Sequence, residues 1–273
     1  MAGDWLTVTR GPAPLIVSFP HTGTELPDDI AGDFVSMERA RYDTDWWVDR
    51  LYSFASDMGA TLIHTAISRS VIDANRDPSG ASLYPGQTTT TLCPLTTFDG
   101  APLYRPGREP DEAEIARRRA LYHAPYHDAI TGEIERLQRA HGCVVLYDAH
   151  SIRSEVPRLF EGLLPVFNVG SNHLTTCAPE LARSVEQVCA ASGEATVLDG
   201  RFRGGWTVRH HGRPANDIHA VQMELSCRGY LREPAAPVSE AGWPVPYDPD
   251  HAAPMIATLR QVLGACLDFA RHA

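Results

Sequence analysis

The chain reads as an α/β protein with a mixed, largely parallel central sheet and helices on both faces. Three features predict this. Cys143-Val144-Val145-Leu146-Tyr147 is an unbroken apolar run, the pattern of a strand buried on both faces, as in parallel sheets. Segments with strand and helix spacing alternate along the whole length, the signature of α/β folds. The 273 residues, 43% of them hydrophobic, suffice for a sizeable core, and this length predicts a single domain over 1–273.

The elements follow in order. Leu15 to Phe19 is a short buried strand that runs into Pro20-His21-Thr22-Gly23. Pro20 has no N–H to continue a ladder, and Gly23 permits a tight turn. Thr44 to Ala55 has helical spacing, with Thr44 as N-cap and Trp47, Val48, Leu51, Phe54 and Ala55 on one buried face. Gly59 ends that helix, and Thr61 to Ala66 reads as the next strand. From Ser68 to about Pro110 the chain is rich in Gly, Pro, Ser and Thr without periodicity. A loop of this length inside a compact domain is usually functional, and it opens with Arg69, Asn75, Arg76 and Asp77.

Asp111 to Ala140 is strongly helical, with Pro125 expected to kink or divide it and Arg117-Arg118-Arg119 expected on a solvated face. The central strand then ends in Asp148-Ala149-His150-Ser151. Leu163 to Val169 is a further strand, Pro179 to Ala191 a helix, and Ala195 to Leu198 a short strand. Arg201 to His219 is a second long loop carrying Gly204-Gly205 and a dense set of cations, among them Arg201, Arg203, Arg209 and Arg213. Ala220 to Ser226 alternates, with Val221, Met223 and Leu225 facing one way and Gln222, Glu224 and Ser226 the other. His251 to Ala270, entered through Asp250, is the closing amphipathic helix.

Composition narrows the function classes. A formal charge of −10 argues against a nucleic-acid or anionic-membrane partner, while leaving room for a local basic pocket. The six cysteines are scattered with no Cys-x-x-Cys pair, which suits a reducing compartment. Met1-Ala2-Gly3-Asp4-Trp5 carries no basic segment followed by an apolar run, and no window reaches 18 apolar residues. A cytoplasmic protein is expected; no pattern specifies an oligomeric state.

Ligands of open α/β sheets bind beyond the carboxyl ends of the strands. His21 and His150 both stand at such ends, each with an acidic residue nearby, and Glu224 lies on a strand face. Either histidine alone reads as a satisfied core residue, and Glu224 alone as an arginine partner; the recurrence of the pattern points to a hydrolytic metal site. Zinc catalysis needs about three N or O ligands and an open position for water, and a carboxylate beside it to move protons. His21 and His150 fit the first role and Glu224 the second. Asp45 and Glu25 both remain candidates for third ligand, although Gly23 and Pro27 oppose the helix that would align Glu25 with His21.

At these residues the chain resembles the N-formylglutamate amidohydrolases. The resemblance runs through Pro20-His21-Thr22-Gly23, Thr44-Asp45-Trp46, Ser68-Arg69 to Asn75-Arg76-Asp77, Asp148-Ala149-His150-Ser151, and Gly204-Gly205 to Gln222-Met223-Glu224, five blocks in order over roughly residues 15–226. That family is similar to zinc carboxypeptidases and aspartoacylase, so the resemblance implies a zinc-carboxypeptidase-like sheet. It also implies a divalent metal, zinc first, held by His21, Asp45 and His150, and a catalytic Glu224. Asn75-Arg76 resembles the Asn-Arg pair that aspartoacylase-type enzymes set on a substrate carboxylate. Those relatives carry a zinc glutamate three residues after the first histidine, where this chain has Thr24. The Thr44-Asp45 block belongs to the formylglutamate pattern and favours Asp45 over Glu25.

The implied reaction is hydrolysis of N-formyl-L-glutamate to L-glutamate and formate in histidine degradation. A substrate with two carboxylates needs at least two cations, for which Arg76 with Asn75, Arg209, and then Arg69 are expected. A metal-dependent deacylase of another N-acyl acidic amino acid is the near rival. Arg209-His210-His211-Gly212-Arg213 is also reminiscent of a histidine acid phosphatase pocket, although a second histidine intervenes and no strand precedes the arginine. A non-catalytic metal- or ligand-binding protein is the third class. No Gly-x-Ser-x-Gly elbow or phosphate-binding glycine loop is present.

Overall fold

Among the described residues seven strands join in one sheet: β1 (Leu6–Thr9), β2 (Leu15–Phe19), β3 (Thr61–Thr65), β4 (Val144–Ile152), β5 (Phe167–Gly170), β6 (Thr196–Leu198) and β7 (Ile218–Ser226). They lie in the order β1-β3-β2-β4-β7-β5-β6. The central strands β3, β2, β4 and β7 are mutually parallel, whereas β1 runs antiparallel to β3 and β5 antiparallel to β7. The computed structural model describes residues 5–83, 86 and 89–273. The N-terminal reading at Met1 to Asp4, and the parts of the long loop at Tyr84, Pro85, Gln87 and Thr88, lie outside the described residues.

The helices are α1 (Asp28–Ala31), α2 (Met37–Ala40), α3 (Val48–Leu51), α4 (Glu112–Arg118), α5 (Ala124–His141), α6 (Pro179–Ala191), α7 (Trp206–His211) and α8 (Pro249–His272). They cover both faces. Val17, Tyr147, Val221 and Met223 pack with residues of α3, α6 and α8, while Ile16, Leu146 and Ala220 pack with residues of α5. The apolar stripe of α8 (Leu259, Val262, Leu263) is fully buried, each such side chain contributing roughly 1.5–3 kcal/mol. Both central strands are buried along their whole length, as the apolar run of β4 predicted. No helix among the described residues is long and apolar enough to cross a membrane, and all six cysteines are free and buried.

The departures from expectation are local. β1 carries the alternation Leu6-Thr7-Val8-Thr9, too short to stand out by period alone. The helix expected from Thr44 begins only at Val48, because Trp47 is left-handed (φ 65°) and the Asp45 N–H donates to the His21 carbonyl (3.0 Å). That bond draws Asp45 to the exit of β2. Ahead of Pro125 the long helix divides at a widened π turn, Arg119–His123, where the missing proline N–H leaves the ladder open. Arg118 is not solvated: it is buried, and its Nη1 donates to Val71 O (3.1 Å) and Tyr104 Oη (2.8 Å). β4 continues two residues past His150, and Asp248 rather than Asp250 caps α8, accepting from the N–H groups of Asp250 and His251.

Candidate active site

The β4–β7 ladder sets the site. Its register pairs Asp148 with Gln222 and His150 with Glu224. Tyr147, Ala149, Val221, Met223 and Leu225 pack into the core on one side, so the period of two turns the four polar side chains to the other. β2 delivers His21 two residues past its end. Gly23 lets the chain pass the exit of β3, where a Cβ would stand 2.4 Å from the Ile67 carbonyl oxygen. Asp45 arrives through its backbone bond to His21.

Each histidine ring is held from behind by a carboxylate. His21 Nε2 lies 2.6 Å from Asp73 Oδ1, and His150 Nε2 lies 2.8 Å from Asp148 Oδ2. A carboxylate only accepts, so Nε2 carries a proton in both rings and Nδ1 is the ring atom left to face a metal. The two Nδ1 atoms stand 3.1 Å apart, and Asp45 Oδ2 is 3.0 Å from His150 Nδ1 and 3.6 Å from His21 Nδ1. Two imidazole nitrogens and one carboxylate oxygen thus converge on one point. Ligands about 2.0–2.1 Å from a tetrahedral ion stand about 3.3 Å from one another, so the donor set fits a divalent cation in both spacing and type. His21, Asp45 and His150 are the group among the described residues able to hold a metal ion.

The supports are themselves supported. Ser18 Oγ and Asn75 Nδ2 donate to Asp148 (2.6 and 3.2 Å). Arg69 bridges Asp73 Oδ2 (2.8 Å) and Asp45 Oδ1 (3.3 Å), and the Ser151 N–H donates to Asp45 Oδ2 (3.2 Å). Carboxylates held in this way fix ring orientation and raise ligand basicity.

The electrostatics favour positive charge at the convergence point. Burial pushes the Asp45 carboxyl up, but the neighbouring His21 and His150 outweigh it and hold the group well below the ordinary carboxylate range. Burial works against a charged His150, yet Asp148 and Asp45 drive its proton affinity well above the usual value. Asp73 is likewise pulled well down against burial by Arg76, His21 and Arg69. Glu224 behaves in the opposite way: burial, reinforced by Asp45 and Asp148 and opposed by His150 and Arg69, raises it to about 7. Gln222 Nε2 donates to its Oε2 (3.2 Å), while Gln222 Oε1 accepts the Gly205 N–H (2.7 Å).

A cavity opens over these residues, lined by His21, His150 and Glu224 together with Arg69, Asn75, Arg76 and Arg201. Of the expected cations, Arg69 is buried between Asp45 and Asp73, and Arg76 donates to Thr90 Oγ1 (2.8 Å), Thr90 O and Asn75 O. Arg209 does not line the cavity; its Nε and Nη1 donate to the carbonyls of Gly204 (2.9 Å) and Leu83 (3.0 Å). Arg201, from the same loop, does. Glu25 is exposed and bridges backbone to Ile67, away from the histidines. None of Arg209, His210, His211, Gly212 and Arg213 is among the described residues lining the cavity.

Sequence reasoning missed Asp73 and Gln222. Asp148 and Gln222 sit two positions before His150 and Glu224, the spacing that shares a strand face, so a signal existed for both. Asp73 lies in a loop and had none.

Comparison with known proteins places the chain in a family. A sequence profile of the family described as N-formylglutamate amidohydrolase matches residues 13–231. The N-formylglutamate deformylase of Pseudomonas aeruginosa is 43% identical over 268 residues, covering 98% of this chain and 97% of that protein. Its counterpart in Pseudomonas putida is 42% identical over 263 residues, covering 96% and 95%. The solved N-formylglutamate amidohydrolase from Ralstonia eutropha JMP134 matches with a TM-score of 0.76 at 25% identity, covering 98% and 97%. A gene product of Agrobacterium tumefaciens shares the fold (TM-score 0.70, 17% identity, 97% and 96% covered). The paired histidines, the strand-borne glutamate and the profile match lie within one continuous stretch, and the chain belongs to the N-formylglutamate amidohydrolase family.

Proposed function

We propose that the chain hydrolyses N-formyl-L-glutamate to L-glutamate and formate, with a divalent metal, zinc first, held by His21, Asp45 and His150. The convergence of two Nδ1 atoms and one carboxylate oxygen within 3.0–3.6 Å, beside a buried glutamate, carries this reading. The whole chain acts as one unit in it. The free, buried cysteines support a cytoplasmic enzyme, and the reaction suits histidine degradation. The formal charge of −10 supports a small-molecule substrate over a nucleic acid.

A bound metal of this kind polarises a carbonyl and lowers the pKa of water from 15.7 towards about 7. The remaining steps belong to the chain. Glu224, whose proton affinity sits at about 7, takes the proton of the attacking water as its oxygen bonds to the formyl carbon. As the C–N bond breaks, Glu224 hands that proton to the leaving nitrogen. Gln222 fixes the carboxyl for both transfers. Arg76 with Asn75, and Arg201 in place of Arg209, are the proposed contacts to the two substrate carboxylates. Arg69 holds Asp45 and Asp73 in place and lies behind these contacts.

The test is formate release by metal-loaded protein from N-formyl-L-glutamate, beside N-acetyl-L-glutamate, N-acetyl-L-aspartate and N-formyl-L-aspartate. Selective, chelator-sensitive turnover of N-formyl-L-glutamate is expected. Preference for an acetyl substrate would overturn the specificity, and no turnover of any would overturn the catalytic role of Glu224.

A further inference from the structure

The His210-His211 pair, unexplained by the cavity, sits behind it. His127 on α5 stacks on His211 of α7 with ring centroids 5.3 Å apart, and both rings are buried. Their partners determine their protons. The Ala74 carbonyl can only accept, so His127 Nε2, 2.8 Å away, carries the hydrogen. His127 Nδ1 is then a bare acceptor, and His211 Nε2, 3.0 Å from it, is the donor. His211 Nδ1 is left buried with no partner among the described residues. Both rings are neutral: burial, helped by His123 and His211, keeps His127 well below the usual histidine value, and burial, helped by His210 and Arg213, lowers His211 to about 3.

The other end of this relay is Asn75. His127 holds the carbonyl before it, and His123 Nε2 donates to the carbonyl of Arg76 after it (2.9 Å). The Thr207 N–H at the start of α7 donates to Asn75 Oδ1 (2.8 Å). Gly205 lets α7 approach this closely, since a Cβ there would stand 2.4 Å from the Asn75 amide. α7 therefore grips Asn75 directly, through Thr207 and through the Trp206 N–H on the Asn75 carbonyl (3.3 Å), and indirectly through His211 and His127.

We propose that His211 and His127 are positioning residues for the Asn75-Arg76 segment. The Ala74 carbonyl selects the Nε2–H tautomer of His127, the His211 donor satisfies the Nδ1 that this leaves bare, and the pair so fixes how Asn75 and Arg76 meet the substrate. A neutral imidazole has two tautomers, and its partner decides between them. Without the His211 donor, His127 Nδ1 is a buried acceptor with no partner, the ring loses its second anchor, and its hold on the Ala74 carbonyl loosens. This inference rests on the reading of Asn75 and Arg76 as substrate contacts.

The test uses the metal-loaded full chain and two variants. His211→Phe keeps a ring against His127 and removes the donor; His211→Gln restores a donor. The expected result for His211→Phe is a KM for N-formyl-L-glutamate raised about tenfold, the range of one lost buried hydrogen bond, with kcat little changed and KM recovered in His211→Gln. Long-range proton–nitrogen NMR correlations on the wild-type enzyme should show His127 protonated at Nε2 alone. In His211→Phe the nitrogen shift of His127 Nδ1 should move to that of an acceptor without a donor and return in His211→Gln, a change that loss of packing alone would not produce. A folded His211→Phe with wild-type KM, or a wild-type His127 protonated at Nδ1, would overturn the proposal. The NMR experiment on the wild type decides even if the Phe variant does not fold. Asn75→Ala and Arg76→Ala, run alongside, separate the two readings. Unchanged KM in both removes the substrate-contact reading itself; raised KM there with none in His211→Phe removes only the relay.

Discussion

His150 and Glu224 are register partners across the parallel β4–β7 ladder. The pairing sets the ring that turns Nδ1 toward His21 and Asp45 beside the carboxyl with the raised proton affinity. Nine consecutive pairs fix this register, and a slip of one residue would turn every side chain of one strand to the opposite face. The relation between the proposed ligand and the proposed base is therefore a property of the sheet rather than of a loop. This rigidity suits a site in which small displacements are costly to the rate.

The Glu224→Gln variant keeps shape and polarity but cannot accept the water proton. Its kcat should fall by about 10²–10⁴-fold, with KM and bound metal near wild type, as steady-state kinetics and elemental analysis would show. A kcat within severalfold of wild type would remove Glu224 as the base.

Metal removal should act on both activity and stability. Chelation should abolish formate release and zinc should restore it. A ligand that binds only the folded state at 100 times its Kd adds about 2.7 kcal/mol, so the metal-free protein should melt several degrees lower in scanning calorimetry. The effect is expected because the Nδ1 atoms of His21 and His150 and Asp45 Oδ2 crowd within 3.0–3.6 Å. A metal-free preparation that is fully active would remove the ion from the mechanism.

Legibility followed the kind of signal each residue carried. β2, β4, β7 and α6 were legible because period and apolar runs are local, and His21, His150 and Glu224 were legible because each belongs to such a strand or directly follows one. Asp45 was harder. Its own segment has helical spacing, and only the tertiary bond from its N–H to the His21 carbonyl breaks the helix and turns the carboxylate inward. Arg209 and Arg201 exchanged places for a similar reason: α7 inside the second loop turns Arg209 onto backbone carbonyls, and nothing in the loop's composition announces that helix. Asp73 was invisible because its partner His21 is 52 positions away.

Substrate recognition should separate from chemistry in the arginine variants. Arg76→Ala and Arg201→Ala should each raise KM by about 10–100-fold, the range for a lost hydrogen bond to a charged group, while kcat moves less. Repeating the kinetics with N-formyl-L-alanine, which lacks the side-chain carboxylate, should show no further loss for whichever arginine reads that carboxylate. An arginine whose removal leaves KM unchanged for both substrates is not an anchor.

The raised Glu224 carboxyl also predicts how the metal-free fold responds to pH. Its value is about 7 in the folded chain against an ordinary 4.5, chiefly because burial disfavours the charged form. A raised carboxyl binds its proton more tightly in the folded state. The stability this provides is complete below about pH 4.5 and is lost as pH rises through about 7. The loss is on the order of 3 kcal/mol. Glu224→Gln is neutral at every pH and escapes it. In urea melts with chelator present, the variant should match wild type near pH 4.5 and exceed its stability above pH 7. Bound metal should shrink that difference, because a nearby cation favours the ionised carboxylate. A difference between the two metal-free proteins that does not grow from pH 4.5 to 7 would mean that Glu224 is not raised in the folded chain, and would leave its fitness as a base at neutral pH without this support.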